Sequence, residues 1–181
     1  MSIVFFVTGN KNKYNETKYI LGNNIKLIQH DIDLPELQGE PYEIIKEKCR
    51  IAHQKVKGAI LIEDTSLCFN ALGGMPGPYI KWFLKNTGAH NIVKMLDSFE
   101  DKSAYAMCIF AYQDNTLEKP ILFEGRVDGI IVPQKGESGF GWDPIFEVGG
   151  ETFAKMDKSI KNKISHRAKA LEKVKKYFKK E

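Results

Sequence analysis

Residues 3–21 read IVFFVTGNKNKYNETKYIL, and the character of the chain changes once along them. Ile3, Val4, Phe5, Phe6 and Val7 form an unbroken apolar run, the pattern of a short strand buried in a parallel-type sheet. After Thr8, Gly9 and Asn10 the chain turns polar and predicts a helix over Lys11–Leu21. Gly22 closes it, since glycine takes the left-handed cap without a steric penalty. Residues 25–29 then predict a second strand. After the loop DIDLPELQGEP, Ile45, Cys49, Ala52 and Val56 recur at spacings of four, three and four, which sets them on one helical face. Gly58 ends that helix, and AILIE at 59–63 supplies a buried strand. The first third therefore alternates strand and helix, the order that builds an α/β sheet.

Farther along the chain the pattern changes. ALGGMPGPY carries too much Gly and Pro for a regular element and predicts a shaped loop, followed by short helices near 79–84 and 90–99. Two long strands are expected at Ser103–Gln113 and 121–132, close enough in sequence to pair antiparallel. Gly125 and Gly129 inside the second suggest bends or bulges. The last helix is expected from His166, with Ser165 as its N-cap and Ala168, Leu171, Val174 and Phe178 as its apolar stripe. The expectation is a single domain over 1–181, a mixed sheet ringed by helices in two lobes that flank a cleft.

Composition sets the class. At 181 residues, with 43% hydrophobic and 28% charged residues, the chain has ordinary globular values, and neither disorder nor a fibrous architecture is suggested. The net charge of +4 favours anionic ligands without demanding nucleic acid, and much of the excess lies in the tail KVKKYFKK. Cys49, Cys68 and Cys108 form no C-x-x-C pair, and an odd number argues against a disulfide framework, so they are expected reduced and buried. No apolar run approaches a membrane span, and IVFFV is too short for a signal-peptide core. The expected compartment is the cytoplasm, with no membrane partner, and the sequon at Asn15, Glu16 and Thr17 is then a chance match.

Four stretches could carry chemistry. In VTGNKNK, a strand end turns into a helix whose first N–H groups and dipole favour an anion. Gly9 permits the turn, Thr8 and Asn10 offer hydrogen bonds, and Lys13 lies about one turn into the helix; a phosphate would suit all four. The plainer alternative is a simple turn with Asn10 as a helix cap. Glu36 and Glu40 sit in a loop, and Glu63 and Asp64 follow a buried strand, toward the sheet edge where open α/β proteins bind ligands. Carboxylates beside a phosphate would repel it unless a cation lay between, and magnesium takes one or two carboxylates together with phosphate oxygens. Ordinary solvated acids are the alternative for Glu40 and Glu63.

In SGFGWDPIF, residues 138–146, Phe140 is flanked by glycines that let its ring present a flat face, as a nucleobase would need. Trp142 itself reads as a core anchor. In KNKISHRAKAL, residues 161–171, Ser165, His166 and Arg167 gather donors at a helix start, or else form a solvated basic face. Adjacent residues at one helix end cannot make a nucleophilic relay, and His30, His53 and His90 lack zinc-ligand spacing.

Together, TGNKNK, LPELQGEP, EDTSLCFNALGGMPGPYIKWF, FGWDPIF and SHRAKAL, in this order, closely resemble the inosine triphosphate pyrophosphatase family, in its eukaryotic form, over nearly the whole chain. The resemblance implies an elongated mixed α/β fold with two lobes around a central nucleotide-binding cleft. It implies magnesium-dependent hydrolysis of ITP, dITP and XTP to the monophosphate and pyrophosphate, in the service of nucleotide-pool sanitation, with manganese as a substitute metal and a homodimer as the assembly. No stable nucleic-acid partner is expected.

Carried over residue by residue, the resemblance assigns Thr8, Gly9, Asn10, Lys13 and Lys48 to the triphosphate. Glu36 and Asp64 become the metal ligands and, with Lys13, the catalytic set. Thr65 and Lys81 become substrate contacts. Phe140, Gly141, Trp142 and Asp143 become the base-binding loop, and Lys161, His166 and Arg167 the base-recognition segment. Donors from that segment would accept the 6-oxo group of inosine and oppose the 6-amino group of adenine. Two alternatives stay open: a Maf-type pyrophosphatase acting on modified nucleotides, and a non-catalytic nucleic-acid-binding module, whose affinity would fall steeply with salt.

Overall fold

The computed structural model describes residues 3–179, and among them the chain forms eight strands and five α-helices. β1 (Ile3–Val7), α1 (Lys11–Leu21), β2 (Lys26–His30), α2 (Pro41–Lys55) and β3 (Ile60–Phe69) follow the alternation expected of the first third. β4 (Pro76–Gly77), α3 (Ile80–Lys94), β5 (Ser103–Gln113) and β6 (Ile121–Ile131) come next. β7 (Phe146–Val148), β8 (Glu151–Thr152), α4 (Lys158–Ile164) and α5 (His166–Phe178) complete the chain.

All eight strands join one mixed sheet in the order β2-β1-β3-β5-β6-β7-β8, with β4 added to β3. β1 runs parallel to β2 and to β3, which is what the helical crossovers α1 and α2 require. β4 on β3, β7 on β6 and β8 on β7 are antiparallel.

Three elements depart from the sequence reading. β3 does not stop at Glu63 but continues to Phe69, so Asp64 lies inside a ten-residue strand. The chain has no need to turn there, because β5 flanks β3 and β4 pairs with Leu67 and Cys68 at its far end. α4 had no visible signature: its seven residues carry only Ile160 and Ile164 as apolar positions, too few for a stripe, and the Asp157 side chain starts it by accepting from the Ser159 N–H. The two short helices expected in the middle are parts of α3, which is broken at Gly88 where φ is 74°.

The chain divides into two compact units. The first holds residues 1–64, 108–125 and 167–181. Its core packs Val4 and Phe6 of β1, Leu21 of α1, Phe110 and Tyr112 of β5, and Ala168, Leu171 and Val174 of α5. The ring of Phe178 meets Tyr112 edge-on at 5.0 Å, so an aromatic cluster pins the end of α5. The second unit holds residues 65–107 and 126–166, around Phe69, Ile92, Trp142, Ile145, Phe146 and Phe153. Trp142 is 7% exposed and packs edge-on against Phe146 at 5.5 Å, as a core anchor would. β3, β5 and β6 each give part of their length to either unit.

Candidate active site

The turn after β1 is held from three sides within the first unit. Thr8 donates its N–H to the His30 carbonyl at 3.1 Å, and the Gln29 amide donates to the Thr8 carbonyl at 3.0 Å. The Thr8 hydroxyl accepts from the Asn10 N–H at 3.1 Å. A Cβ at Gly9 would lie 2.8 Å from the exposed Asp31 carboxylate, which would have to move aside to admit it. Asn10 is the N-cap of α1: its side-chain oxygen accepts from the N–H groups of Asn12 at 3.0 Å and Lys13 at 3.1 Å. The cap reading of Asn10 is thus realised, and two of the helix's first donors are already served by it.

Two carboxylates converge on one cation. The Lys48 ammonium, on α2, lies 3.1 Å from Glu36 Oε2 and 3.3 Å from Asp64 Oδ2. Burial works against the charge of Lys48, but Asp64 and Glu36 more than offset it, so its pKa is raised above the ordinary lysine value. Glu40 takes no such part: it is exposed and precedes α2 without capping it through its side chain.

Glu63 faces the other way. Neighbours along a strand point to opposite faces, and the Glu63 carboxylate meets Lys13 Nζ at 2.5 Å and Arg167 Nε at 3.0 Å while Asp64 meets Lys48. The Cys108 thiol donates to Glu63 at 3.0 Å, and Arg167 Nη1 reaches Glu16 at 2.6 Å. Burial alone would raise the pKa of Glu63, yet Arg167 and Lys13 hold it well below the usual carboxylate range. Burial, and then Glu63, push the Cys108 thiol the opposite way, well above an ordinary thiol.

The base-loop residues belong to the second unit. Asp143, 3% exposed, accepts from the Phe140 N–H at 2.9 Å and from the Lys161 ammonium at 2.8 Å, closing residues 140–143 into a tight turn tied to α4. Gly139, at φ +81°, has no room for a Cβ, which would overlap the Asp143 carboxylate. Lys161 Nζ lies 5.0 Å from the centre of the half-buried Phe140 ring. His166 is 2% exposed and its ring lies near-parallel to Phe153 at 6.1 Å, with Trp142 tilted against it at 5.2 Å. Thr65 is half-buried on β3, and Lys81 is exposed on α3 with its ammonium 5.8 Å from the Trp82 ring. Gly141 takes φ +66° in the same loop.

The structure therefore sorts the expected residues into two sets. Thr8, Gly9, Asn10, Lys13, Glu36, Lys48, Asp64 and Arg167 fall in the first unit, and Thr65, Lys81, Phe140, Gly141, Trp142, Asp143, Lys161 and His166 in the second. Sequence reasoning passed over Glu16 and gave Cys108 no polar role. Glu16 was within reach of it, since Glu16 stands three residues beyond Lys13 on the same helix face. Cys108 carried no signal at all.

Among the described residues no group of three or more His, Cys, Asp and Glu side chains is gathered to hold a metal by protein ligands alone. Glu36 and Asp64 nevertheless fit magnesium, a hard cation that takes one or two carboxylates and completes its shell with water and phosphate. Their oxygens are drawn to a single ammonium, so both can serve one ion at that point.

A parallel βαβ start, Lys13 on its first helix against Glu63, and Glu36 and Asp64 drawn to Lys48 define an α/β protein with paired acids and cations gathered in its first unit. The sequence pattern of the Ham1 family matches residues 4–177, and the chain belongs to that family. It is 53% identical over 178 residues to an inosine triphosphate pyrophosphatase of Ajellomyces capsulatus, covering 98% of this chain and 97% of that one. To the inosine triphosphate pyrophosphatase of Neurospora crassa it is 52% identical over 179 residues, covering 99% and 94%. Among solved structures, a HAM1 protein from Coxiella burnetii superposes with a TM-score of 0.88 at 26% identity over the full length of both chains. The Ham1 protein of Staphylococcus aureus gives 0.86 at 26% identity over 98% of each.

Proposed function

We propose that this chain is a nucleoside triphosphate pyrophosphatase that converts ITP, dITP and XTP to the monophosphate and pyrophosphate, clearing deaminated purines from the nucleotide pool. Supporting this reading are the near-full-length identity to the two fungal pyrophosphatases and the sorting of cationic and acidic side chains around the β1–α1 turn. The observation that carries it is the pair Glu36 and Asp64 aimed at one cationic point.

Magnesium, or manganese in its place, would be held by Glu36 and Asp64 and would supply neutralisation of phosphate charge and polarisation of the phosphorus under attack. The protein's own groups do the rest. Thr8, Asn10, Lys13 and Lys48 hold the triphosphate, and Asp64 orients the water that attacks the α-phosphorus or takes its proton. Phe140 stacks on the base from a loop completed by Gly141, Trp142 and Asp143, and Lys161, His166 and Arg167 read its 6-oxo edge. Thr65 and Lys81 add substrate contacts. The proposed assembly is a homodimer in the cytoplasm, which sedimentation equilibrium and localisation of a tagged chain would check.

The test is pyrophosphate release over a panel of nucleotides with and without magnesium. ITP, dITP and XTP should be turned over, with ATP far behind, and only with the metal. Asp64→Asn should lower kcat by about 100-fold or more. Release of two orthophosphates in place of pyrophosphate, or wild-type turnover by Asp64→Asn, would overturn the reading.

A further inference from the structure

Within the first unit, four charged side chains form a closed circuit that leaves α1 and returns to it. Lys13 of α1 meets Glu63 of β3 at 2.5 Å, Glu63 meets Arg167 of α5 at 3.0 Å, and Arg167 meets Glu16, one turn beyond Lys13, at 2.6 Å. The two middle members are almost wholly enclosed, with side chains 1% and 2% exposed. Taking two ions out of water costs several kcal/mol each, and apolar residues of the same volume often hold elements together as well or better. The circuit is therefore a poor choice if its only task is to pack α1 against β3 and α5. What it supplies that apolar side chains cannot is direction.

The two end members lie on α1 with side chains 21% and 18% exposed, so the circuit opens to solvent there. An ammonium has three N–H donors. Glu63 takes one of Lys13's, and two remain to serve a phosphate. Arg167, by contrast, spends Nε on Glu63 and Nη1 on Glu16.

We propose that Glu63 is a positioning residue for Lys13, and that Arg167 acts through Glu63 to orient that ammonium toward a polyphosphate. The inference rests on the pyrophosphatase reading for the identity of the ligand. It gives the two adjacent acids of β3 separate work: Asp64 serves the cation and water, and Glu63 aims a lysine.

The test is a double-mutant cycle read by calorimetric binding of inorganic tripolyphosphate in the absence of metal, which needs no turnover. Glu63→Gln keeps the shape and removes the charge. It should weaken tripolyphosphate binding about 10-fold, Lys13→Met should do the same, and the double variant should be no weaker than Lys13→Met alone. Arg167→Met should likewise weaken tripolyphosphate binding, and Arg167→Lys should restore part of the loss.

Losses that multiply in the double variant, or unchanged tripolyphosphate binding by Glu63→Gln or by Arg167→Met, would each overturn the proposal. Should Glu63→Gln fail to fold, judged by circular dichroism, the same cycle is run with Arg167→Lys and Lys13→Met and read the same way. A wild-type chain that binds tripolyphosphate but leaves ITP intact would remove the pyrophosphatase reading and leave the cycle to judge Glu63.

Discussion

Asn10 has one observed duty, as a helix cap, and one proposed, toward phosphate, and a single substitution can separate them. Its side chain satisfies two N–H groups at the start of α1 and also stands in the turn assigned to phosphate. Asn10→Ala should cost about 1 kcal/mol of stability, the usual worth of an N-cap, measured by urea unfolding. Asn10→Asp keeps the cap and adds a negative charge, so stability should hold while nucleotide binding weakens. Cys49 gives a pH prediction of definite sign. It is fully buried, and burial pushes its thiol up from 9.0 to about 12. Above pH 9 the unfolded chain gives up that proton while the folded chain keeps it until about 12. Its contribution to stability is therefore whole below 9.0 and declines as pH rises toward 12. Urea midpoints on either side of pH 9 should show the decline, and Cys49→Ala should flatten it. All three cysteines are free and buried, as their number and spacing had suggested.

Among the elements, β6 shows why a glycine inside a strand deserves a physical reason. Gly129 was read from sequence as a bend or bulge, and the packing explains it: a Cβ there would run into the Glu147 carbonyl and lie 2.8 Å from the Phe146 ring. β7 pairs with β6 through these same residues, Ile130 with Glu147 and Ile131 with Phe146. Gly129→Ala should therefore cost about 1–3 kcal/mol, since the obstacle is backbone and a buried ring that cannot swing aside. Thermal unfolding measures this directly. Helix ends were legible for α1, where the composition changes at Lys11 and Gly22 closes the helix, and for α5, where the apolar stripe begins just past His166. α4 was not legible, because a seven-residue helix is stabilised by its cap and its neighbours and leaves no period to read.

Over the whole molecule, the two units are built from interleaved pieces of chain, and three strands run through both. Loss of β3, β5 or β6 from one unit interrupts a strand of the other. Unfolding is expected as one calorimetric transition with equal van't Hoff and calorimetric enthalpies, and two resolved transitions would contradict this. The borders between the units fall inside the motifs themselves, between Asp64 and Thr65 and between His166 and Arg167. Neighbours in sequence thus enter different surroundings: His166 stacks among aromatic rings, while Arg167 closes an ionic circuit. The amino-acid sequence by itself determined the alternation of strand and helix in the first third, the two long strands β5 and β6, the last helix and the buried thiols, because apolar period, glycine placement and charge are local properties. Which carboxylate meets which cation was decided only by the tertiary structure. Glu63 and Asp64 are alike as letters, and only the alternation of a strand that runs on past them, with α1 and α5 meeting one side chain and α2 the other, sets them to different partners.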